Sequence, residues 1–185
     1  MRKIIDSHLH IINWREGDFI SCFDSYVKKN ELSAINICSV PFERSNVSNN
    51  VMLGLYKLAC PNTYVHAGIE LLEIPIDNMP SDMDAVTQYR ELMEIGFDGI
   101  KICASRLKTE DLTKHYKVFE EANRLGKFIS IDLADGDAQT GSLYELIRQY
   151  PELEIAIGHF GMVTRDKWQK QIELAKNPNV FIESG

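Results

Sequence analysis

The sequence predicts an α/β fold in which parallel strands alternate with crossover helices. Short apolar segments rich in β-branched residues recur along the 185 residues, and the segments between them have the 3.6-residue period of amphipathic helices. Successive strands begin about 29 residues apart, which is the size of one βα unit. No linker or shift in composition interrupts this series. We therefore expect a single domain over residues 1–185.

Seven segments qualify as strands, and amphipathic segments separate them. The first helix places Phe19, Phe23 and Val27 on one face, Gly126 follows the fourth helix at a position that favours a left-handed residue, and Pro151 ends the fifth. The predicted strands are Lys3–His10, Ala34–Val40, Thr63–Leu71, Gly99–Cys103, Phe128–Leu133, Glu154–His159 and Val180–Ser184.

Two architectures use parallel strands with crossover helices: the open doubly wound sheet and the closed eight-stranded barrel. Neither a GxGxxG fingerprint nor a Walker-type phosphate loop follows the first strand, whereas a histidine pair does. This pattern favours the barrel. Eight units at the observed spacing need about 235 residues, yet Gly185 comes directly after the seventh strand. The prediction is an incomplete TIM (β/α)8-type barrel with about seven strands and six helices, lacking its eighth strand.

Composition restricts the partners. Twenty basic and 27 acidic residues give a net charge of -7 and a pI near 5.2, which argues against nucleic acid or an anionic membrane as the main partner. No apolar run is long enough for a membrane span or a signal peptide, and the four cysteines lack metal-site spacing. We expect a cytoplasmic protein with reduced, buried thiols and a small-molecule substrate, with a homo-oligomer as a further option.

The first strand ends in a His-x-His pair. Because side chains of a strand alternate between faces, Asp6, His8 and His10 point to the same side. The carboxyl ends of barrel strands form the active-site mouth, where neutral imidazoles can hold a divalent metal. The alternative is a pair of unrelated surface histidines. The position after an apolar first strand favours the metal site.

Two further strand ends supply candidates for the same pocket. His159 closes the sixth strand, and a catalytic barrel draws its functional residues from several strand ends. Asp132 ends the fifth strand among apolar neighbours, where an unpartnered carboxylate would be costly. Asp132 would ligate the metal, orient a ligating histidine or bind substrate, and the alternative is a carboxylate that faces water. We expect D132N to lower activity with little change in melting temperature.

Cations and other histidines complete the candidate set. Lys101, at the end of the fourth strand, would bind a substrate carboxylate or, if carbamylated, bridge two metals, and Arg106 would help to bind an anion. Both are equally consistent with solvated loop cations. Glu70 is a weaker candidate. The remaining histidines at positions 66 and 115, early in a strand and within a helix, are assigned to structure or solvent.

These segments together resemble the amidohydrolase superfamily, and within it amidohydrolase family 2. The resemblance rests on Asp6–His10, Gly96–Ile102 and Ile157–Gly161, and it extends over the whole chain in order and spacing. Leu174–Val180, with Trp168 before it, looks like the lactonase-like branch that contains sugar lactonases and pyrone-dicarboxylate hydrolases. The resemblance implies metal ligation by the first-strand pair and a sixth-strand histidine near the metal or the substrate carbonyl.

The chain departs from the family pattern in two places. Many relatives have a histidine ligand on the fifth strand, whereas this chain has Asp132 there, and lactonase-like members also have an aspartate at this place. Some lactonase-like members work without a tightly bound metal. The family's eighth-strand aspartate, which serves as ligand and general base, would lie beyond Gly185. The ligand set implied for this chain is therefore His8, His10, His159 and Asp132, with zinc as the first choice of metal and manganese as the second.

The resemblance implies a metal-dependent hydrolase acting on a small polar, carboxylated lactone or ester. The divalent ion would polarise the carbonyl and activate water, while His159 and Lys101 would stabilise the oxyanion. A metal-dependent non-oxidative decarboxylase of the same superfamily is the second enzymatic reading. A third reading, a catalytically inactive fragment that self-associates through its open sheet edges, follows from the missing eighth strand.

Overall fold

A computed structural model shows seven strands in one parallel sheet, and it describes residues 5–11, 18–39, 45–69, 71, 85–106, 111–134, 137–164 and 166–184, with the backbone alone at 45–48, 106 and 162. The strands pair in the order in which they occur in the sequence. They are β1 (Ile5–Ile11), β2 (Ala34–Ser39), β3 (Tyr64–Ile69), β4 (Gly99–Cys103), β5 (Phe128–Asp132), β6 (Ile155–Ile157) and β7 (Val180–Ile182). All seven predicted strands are confirmed.

Helices connect the strands as crossovers. They are α1 (Phe19–Lys29), α2 (Ser45–Ala59), α3 (Ala85–Ile95), α4 (Tyr116–Leu125), α5 (Ala138–Gln149), α6 (His159–Met162) and α7 (Trp168–Glu173). The described residues thus contain one helix more than the six predicted. The addition is α6, a four-residue turn at the place where the predicted sixth strand continued to His159. That strand ends at Ile157 instead, and His159 lies just beyond it.

The two faces of the sheet differ in polarity. Ile100, Ile102, Ile129 and Ile131 are fully buried in the main hydrophobic cluster, which also contains the helix residue Phe119. Because strand residues alternate between faces, the positions between these isoleucines face the other way. On β4 and β5 those positions are polar, and two of them, Lys101 and Ser130, are paired across the ladder. One face of the sheet therefore packs against helices and the other carries the polar groups.

The sheet curls towards a barrel. Within the described residues β1 pairs only with β2 and β7 only with β6, so the ladder does not close. Nevertheless His8 of β1 reaches Glu183, directly after β7, with 2.8 Å between Nδ1 and an Oε atom. First and last strands are therefore neighbours at their carboxyl ends. This is the incomplete TIM barrel that the sequence predicts.

Other expectations about the chain are met in part. The four cysteines are free, but only Cys38 is buried. Cys60 and Cys103 are half-buried, and Cys22 is exposed because α1 buries the adjacent Phe23 against the core instead. Gly126 has the predicted left-handed conformation, with φ of 60°, and α5 ends at Gln149, two residues before Pro151. None of the described helices has the length and apolar character needed to cross a bilayer.

Candidate active site

The two histidines of β1 lie on the polar face of the sheet. Their side chains share a face despite a register irregularity between Asp6 and Leu9. The rings of His8 and His10 meet edge to face with centroids 4.5 Å apart, and their Nε2 atoms are separated by 2.9 Å. The predicted convergence of the pair on one point is therefore present.

His159 completes a cluster of three imidazoles. His159 follows Gly158 and has a left-handed backbone conformation, with φ of 52°. Phe160 has the same conformation, with φ of 53°. Non-glycine residues rarely adopt this conformation, and it concentrates at functional sites. The amide of Phe160 donates to the carbonyl oxygen of Glu183 at 2.7 Å, which holds the turn against the end of β7. The turn places the His159 ring 4.7 Å from that of His8 and 6.0 Å from that of His10.

These three histidines offer a donor set that fits a divalent metal. Each contributes one ring nitrogen, and the three nitrogens lie within 4.8 Å of one another. Nitrogens that share a tetrahedral zinc ion at 2.0–2.1 Å are about 3.3 Å apart. Small movements of the rings would therefore bring all three nitrogens to ligating distance from one ion. Three histidines with an open fourth position are a known catalytic zinc arrangement, and imidazole also suits other transition metals. Among the described residues no other such cluster occurs.

His10 is in the protonation state that metal ligation requires. Burial lowers the pKa of His10 to about 4, and the nearby His8 and Lys101 act in the same direction. The ring is therefore neutral at physiological pH and has a nitrogen lone pair to offer. Its Nδ1 atom is buried without a hydrogen-bond partner among the described residues.

Lys101 and Asp132 form a buried ion pair next to the histidines. The Lys101 ammonium, which has no exposed surface, donates to Asp132 Oδ1 at 2.7 Å and to Ser130 Oγ at 3.3 Å. His159 Nε2 lies 3.5 Å from the same carboxylate oxygen. The predicted residues Lys101, Asp132 and His159 therefore meet, although they come from different strand ends.

The charge state of Asp132 follows from these neighbours. Burial alone would raise its pKa, but hydrogen bonding from His159 and the charge of Lys101 outweigh this effect and hold the pKa well below its usual range. Asp132 is thus a carboxylate whose Oδ1 atom already binds a cation and contacts an imidazole. This contact set is that of a group that orients a histidine, one of the roles predicted for Asp132, and its direct ligation of a metal stays a prediction.

Two residues at the centre of the site, Glu183 and Ser130, were missed by the sequence analysis. Glu183, 7% exposed, accepts a hydrogen bond from His8 Nδ1 at 2.8 Å and one from the Ser130 hydroxyl at 3.0 Å. Burial would raise the pKa of Glu183, but its contacts with His8, the charge of Lys101 and the Ser130 hydroxyl together outweigh this effect and lower the pKa. The signal for Glu183 was present, because it follows the apolar run of β7 just as His159 follows that of β6.

Gly158 permits the close packing of this site. A Cβ atom at this position would clash with Asp132 Oδ1, and would lie 3.1 Å from Lys101 Nζ and 3.4 Å from His8 Cε1. Only a residue without a side chain allows the ion pair to lie directly against the backbone at the end of β6.

The remaining candidates either fall outside the described residues or lie apart from the cluster. Glu70 and the side chain of Arg106 are outside the described residues. His66 is buried, and its ring packs 5.2 Å from that of Phe128; burial lowers its pKa to about 4. It pairs with Gly99, two residues before Lys101, and is not among the three clustered histidines. His115 ends a short 3₁₀ segment outside the cluster.

Comparison with solved structures relates this fold to known proteins. No family model matches the sequence, and no curated protein does. A probable 2-pyrone-4,6-dicarboxylic acid hydrolase from Acinetobacter baumannii, with citric acid bound, superposes with a TM-score of 0.70 at 15% identity, over 99% of this chain and 70% of that chain. An amidohydrolase from Burkholderia multivorans with bound zinc gives 0.62 at 13% identity, over 99% and 69%.

The chain shares the barrel fold of these solved structures. A third solved structure, amidohydrolase 2 from Bifidobacterium longum subsp. infantis, agrees, with a TM-score of 0.57 at 18% identity over 98% of this chain and 72% of that chain. The resemblance found in the sequence is thereby confirmed at the level of the fold. The sheet brings three histidines and two buried carboxylates of this chain to the carboxyl ends of its strands.

Proposed function

We propose that the chain is a metal-dependent hydrolase of amidohydrolase family 2, in its lactonase-like branch, that opens a small polar, carboxylated lactone or ester. The observation that carries the proposal is the cluster of His8, His10 and His159, whose ring nitrogens lie within 4.8 Å. Two similar structures support its details. One is described as a probable hydrolase of a pyrone dicarboxylic acid, and the other contains zinc.

Three imidazoles would hold the metal, with zinc preferred. His8 Nδ1 lies 2.8 Å from a Glu183 carboxylate oxygen and His159 Nε2 lies 3.5 Å from Asp132 Oδ1, so two of the three rings contact carboxylates. When bound, a divalent ion supplies Lewis-acid polarisation of the carbonyl and lowers the pKa of water. His159 is the most exposed of the ion-paired site groups, with 30% of its side chain accessible. A neutral imidazole that binds a metal through one nitrogen and donates to Asp132 through the other has no N–H left for substrate, so we assign His159 to the metal.

Lys101 contributes positive charge beneath the site. Its ammonium is fully buried and already bound to Asp132, so its effect on substrate acts across a short distance in a region of low dielectric. Two carboxylates, Asp132 and Glu183, share this one ammonium, so its role in the proposal is to hold the ionised groups of the site. Direct contact with a substrate carboxylate stays a prediction for Arg106, because the Lys101 ammonium has no exposed surface.

Metal content and turnover test the function. We expect wild-type protein to bind about one zinc, and H8A and H10A to weaken metal binding at least about tenfold, because each loses a ligand, which matters more than loss of an outer partner. H115A is the matched control, because it removes a histidine outside the cluster. Metal is measured by elemental analysis, and turnover by pH-stat titration with a panel of carboxylated lactones.

The outcomes separate the readings of the sequence. Metal-dependent lactone opening supports the hydrolase. Release of CO2 from an aromatic acid without lactone opening would favour the decarboxylase. Stoichiometric metal without any turnover would favour an inactive chain. Equal metal content in wild type, H8A and H10A would contradict the metal site itself.

A further inference from the structure

Glu183 is a buried carboxylate that the proposed mechanism leaves without a chemical step. It lies directly after β7, and its side chain is almost fully enclosed, with 7% of the residue exposed. A buried carboxylate needs hydrogen-bond donors, and Glu183 receives two, from His8 Nδ1 at 2.8 Å and from Ser130 Oγ at 3.0 Å. Both reach the same oxygen, Oε2. The group is therefore fixed in place from two strands.

The contact with His8 determines which ring nitrogen is free. A carboxylate only accepts hydrogen bonds, so the His8 ring carries a proton on Nδ1, and in the neutral form that a metal requires this is its only proton. Its lone pair then lies on Nε2, the nitrogen that faces His10 Nε2 at 2.9 Å. Nε2 is thus directed at the imidazole cluster. With the proton on Nε2 instead, His8 would present no donor to Glu183 and no lone pair to the cluster.

A chain of hydrogen bonds holds the carboxylate itself. Lys101 donates to Ser130 Oγ at 3.3 Å, and the Ser130 hydroxyl in turn donates to Glu183. The same ammonium donates to Asp132, whose carboxylate lies 3.5 Å from His159. One buried lysine thereby fixes both carboxylates. Through them it connects the histidine of β1 with the histidine that follows β6.

We propose that Glu183 is the positioning residue of the metal site, and that it holds His8 in the tautomer and orientation in which Nε2 binds the metal. The role rests on the proposed function, because it presumes that the three histidines share a metal ion. The proposal gives the residue directly after β7 a role in the site, and the sequence alone predicted no functional residue there. Outer partners of this kind change metal affinity by about 10 to 100-fold.

The test compares three variants. E183A removes the acceptor, and E183Q keeps the shape and an amide oxygen that can still accept from Nδ1. E121Q is the matched control, because Glu121 is also a buried, ion-paired glutamate but bonds to two arginines, Arg90 and Arg124, outside the site. Thermal melts of all three show how much each substitution destabilises the fold.

Two readouts go beyond stability. Nitrogen-15 NMR of the metal-free protein reports the His8 tautomer, and we expect the Nδ1–H form in wild type, E183Q and E121Q but a mixture in E183A. Cobalt titration, followed by the visible absorption of the bound ion, reports affinity. We expect a loss of about 10 to 100-fold in E183A, a smaller loss in E183Q and no change in E121Q.

The results distinguish failure of this inference from failure of the proposed function. Wild-type protein that takes up no cobalt would overturn the metal site and this role together. Wild-type protein that binds cobalt, with unchanged affinity in E183A, would overturn the positioning role alone. An Nε2–H tautomer of His8 in metal-free wild type would also overturn it, and this measurement requires no variant to fold.

Discussion

Lys101 and Asp132 form a buried ion pair in which the Lys101 side chain is fully enclosed, and this has consequences for stability. The sequence predicted that D132N would affect activity and leave the melting temperature nearly unchanged. The structure predicts otherwise, because this substitution would leave the fully buried Lys101 ammonium without its carboxylate partner at 2.7 Å. Removing one member of a buried ion pair commonly costs about 3–5 kcal/mol.

We therefore expect D132N to melt roughly 6–20 °C below wild type, at about 2–4 °C per kcal/mol for a chain of this size. The double variant K101M/D132N should recover part of this loss, because no unpaired charge then remains in the interior. Calorimetry of the three proteins checks the expectation. If D132N had the same melting temperature as wild type, Lys101 would have to be solvated or neutral in the folded protein.

Gly158 provides a second prediction for a single residue. G158A should distort the Lys101–Asp132 pair and displace His8, since its methyl group would clash with Asp132 Oδ1 and crowd the other two side chains. We expect lower thermal stability and metal binding weakened by at least about tenfold. G141A is the matched control, because nothing lies within 4 Å of a Cβ there and alanine suits a helix better by up to about 1 kcal/mol. Wild-type metal affinity in G158A would contradict this packing.

Single residues also show what the sequence could and could not predict. His8, His10, His159, Asp132 and Lys101 were identified from one rule, that functional groups of parallel barrels lie where apolar strands end. Glu183 obeys the same rule, yet its role depends on a contact between residues 175 positions apart. That contact exists only because the sheet curls. No local pattern encodes the distance between the first and the last strand.

At the scale of elements, strand positions follow directly from the sequence, and the ends of elements do not. Runs of β-branched apolar residues identified all seven strands. The end of β6 was misplaced because His159 and Phe160 adopt left-handed backbone conformations that propensity does not favour. Their turn is held by the hydrogen bond from Phe160 to Glu183, a tertiary contact. The element that brings His159 into the site is therefore the one that sequence patterns predict least well.

The contact between α3 and α4 yields a prediction of pH dependence. Glu121 of α4 is buried and bonds to Arg124 at 2.6 Å and to Arg90 of α3 at 2.7 Å. Hydrogen bonds from Arg124 and Arg90 lower the pKa of Glu121 to about 2. Because the pKa of Glu121 is lowered on folding, its ionised form stabilises the fold at any pH above the usual pKa of 4.5. That stabilisation is lost as the pH falls from 4.5 towards 2.

We expect wild type to exceed E121Q in free energy of unfolding by a constant amount above about pH 5, and the two to converge near pH 2. Urea unfolding at several pH values measures this difference. E145Q is the control, because Glu145 is an exposed glutamate on α5. A difference between wild type and E121Q that does not change with pH would show that Glu121 is not ion-paired in solution.

At the scale of the whole molecule, the site joins parts of the chain that are far apart in sequence. His8 and His10 belong to β1, whereas His159 follows β6, and Glu183 follows β7. The hydrogen-bonded ladder leaves β1 and β7 unpaired with each other among the described strands. Side chains on the polar face, and a metal shared by the histidines, would therefore supply contacts across a gap that the backbone does not close.

Metal binding should for this reason stabilise the entire fold. A ligand that binds only the folded state at about 100 times its Kd adds about 2.7 kcal/mol to the free energy of unfolding. For a chain of this size that corresponds to a rise of roughly 5–10 °C in melting temperature. Because the ligands come from β1 and from the turn after β6, unfolding of either region releases the ion. The stabilisation is thus expected to act on the single main transition.

Differential scanning calorimetry with zinc in excess, and again after addition of a chelator, measures this effect. Wild type and H115A should both show the rise and lose it with the chelator. H8A should show little change with zinc, because it lacks a ligand, and without metal it should melt below wild type, because the buried Glu183 carboxylate loses its His8 partner. If zinc shifted wild type and H8A equally, the ion would be binding elsewhere on the surface, and the three histidines would not be a metal site that links β1 to the end of β6.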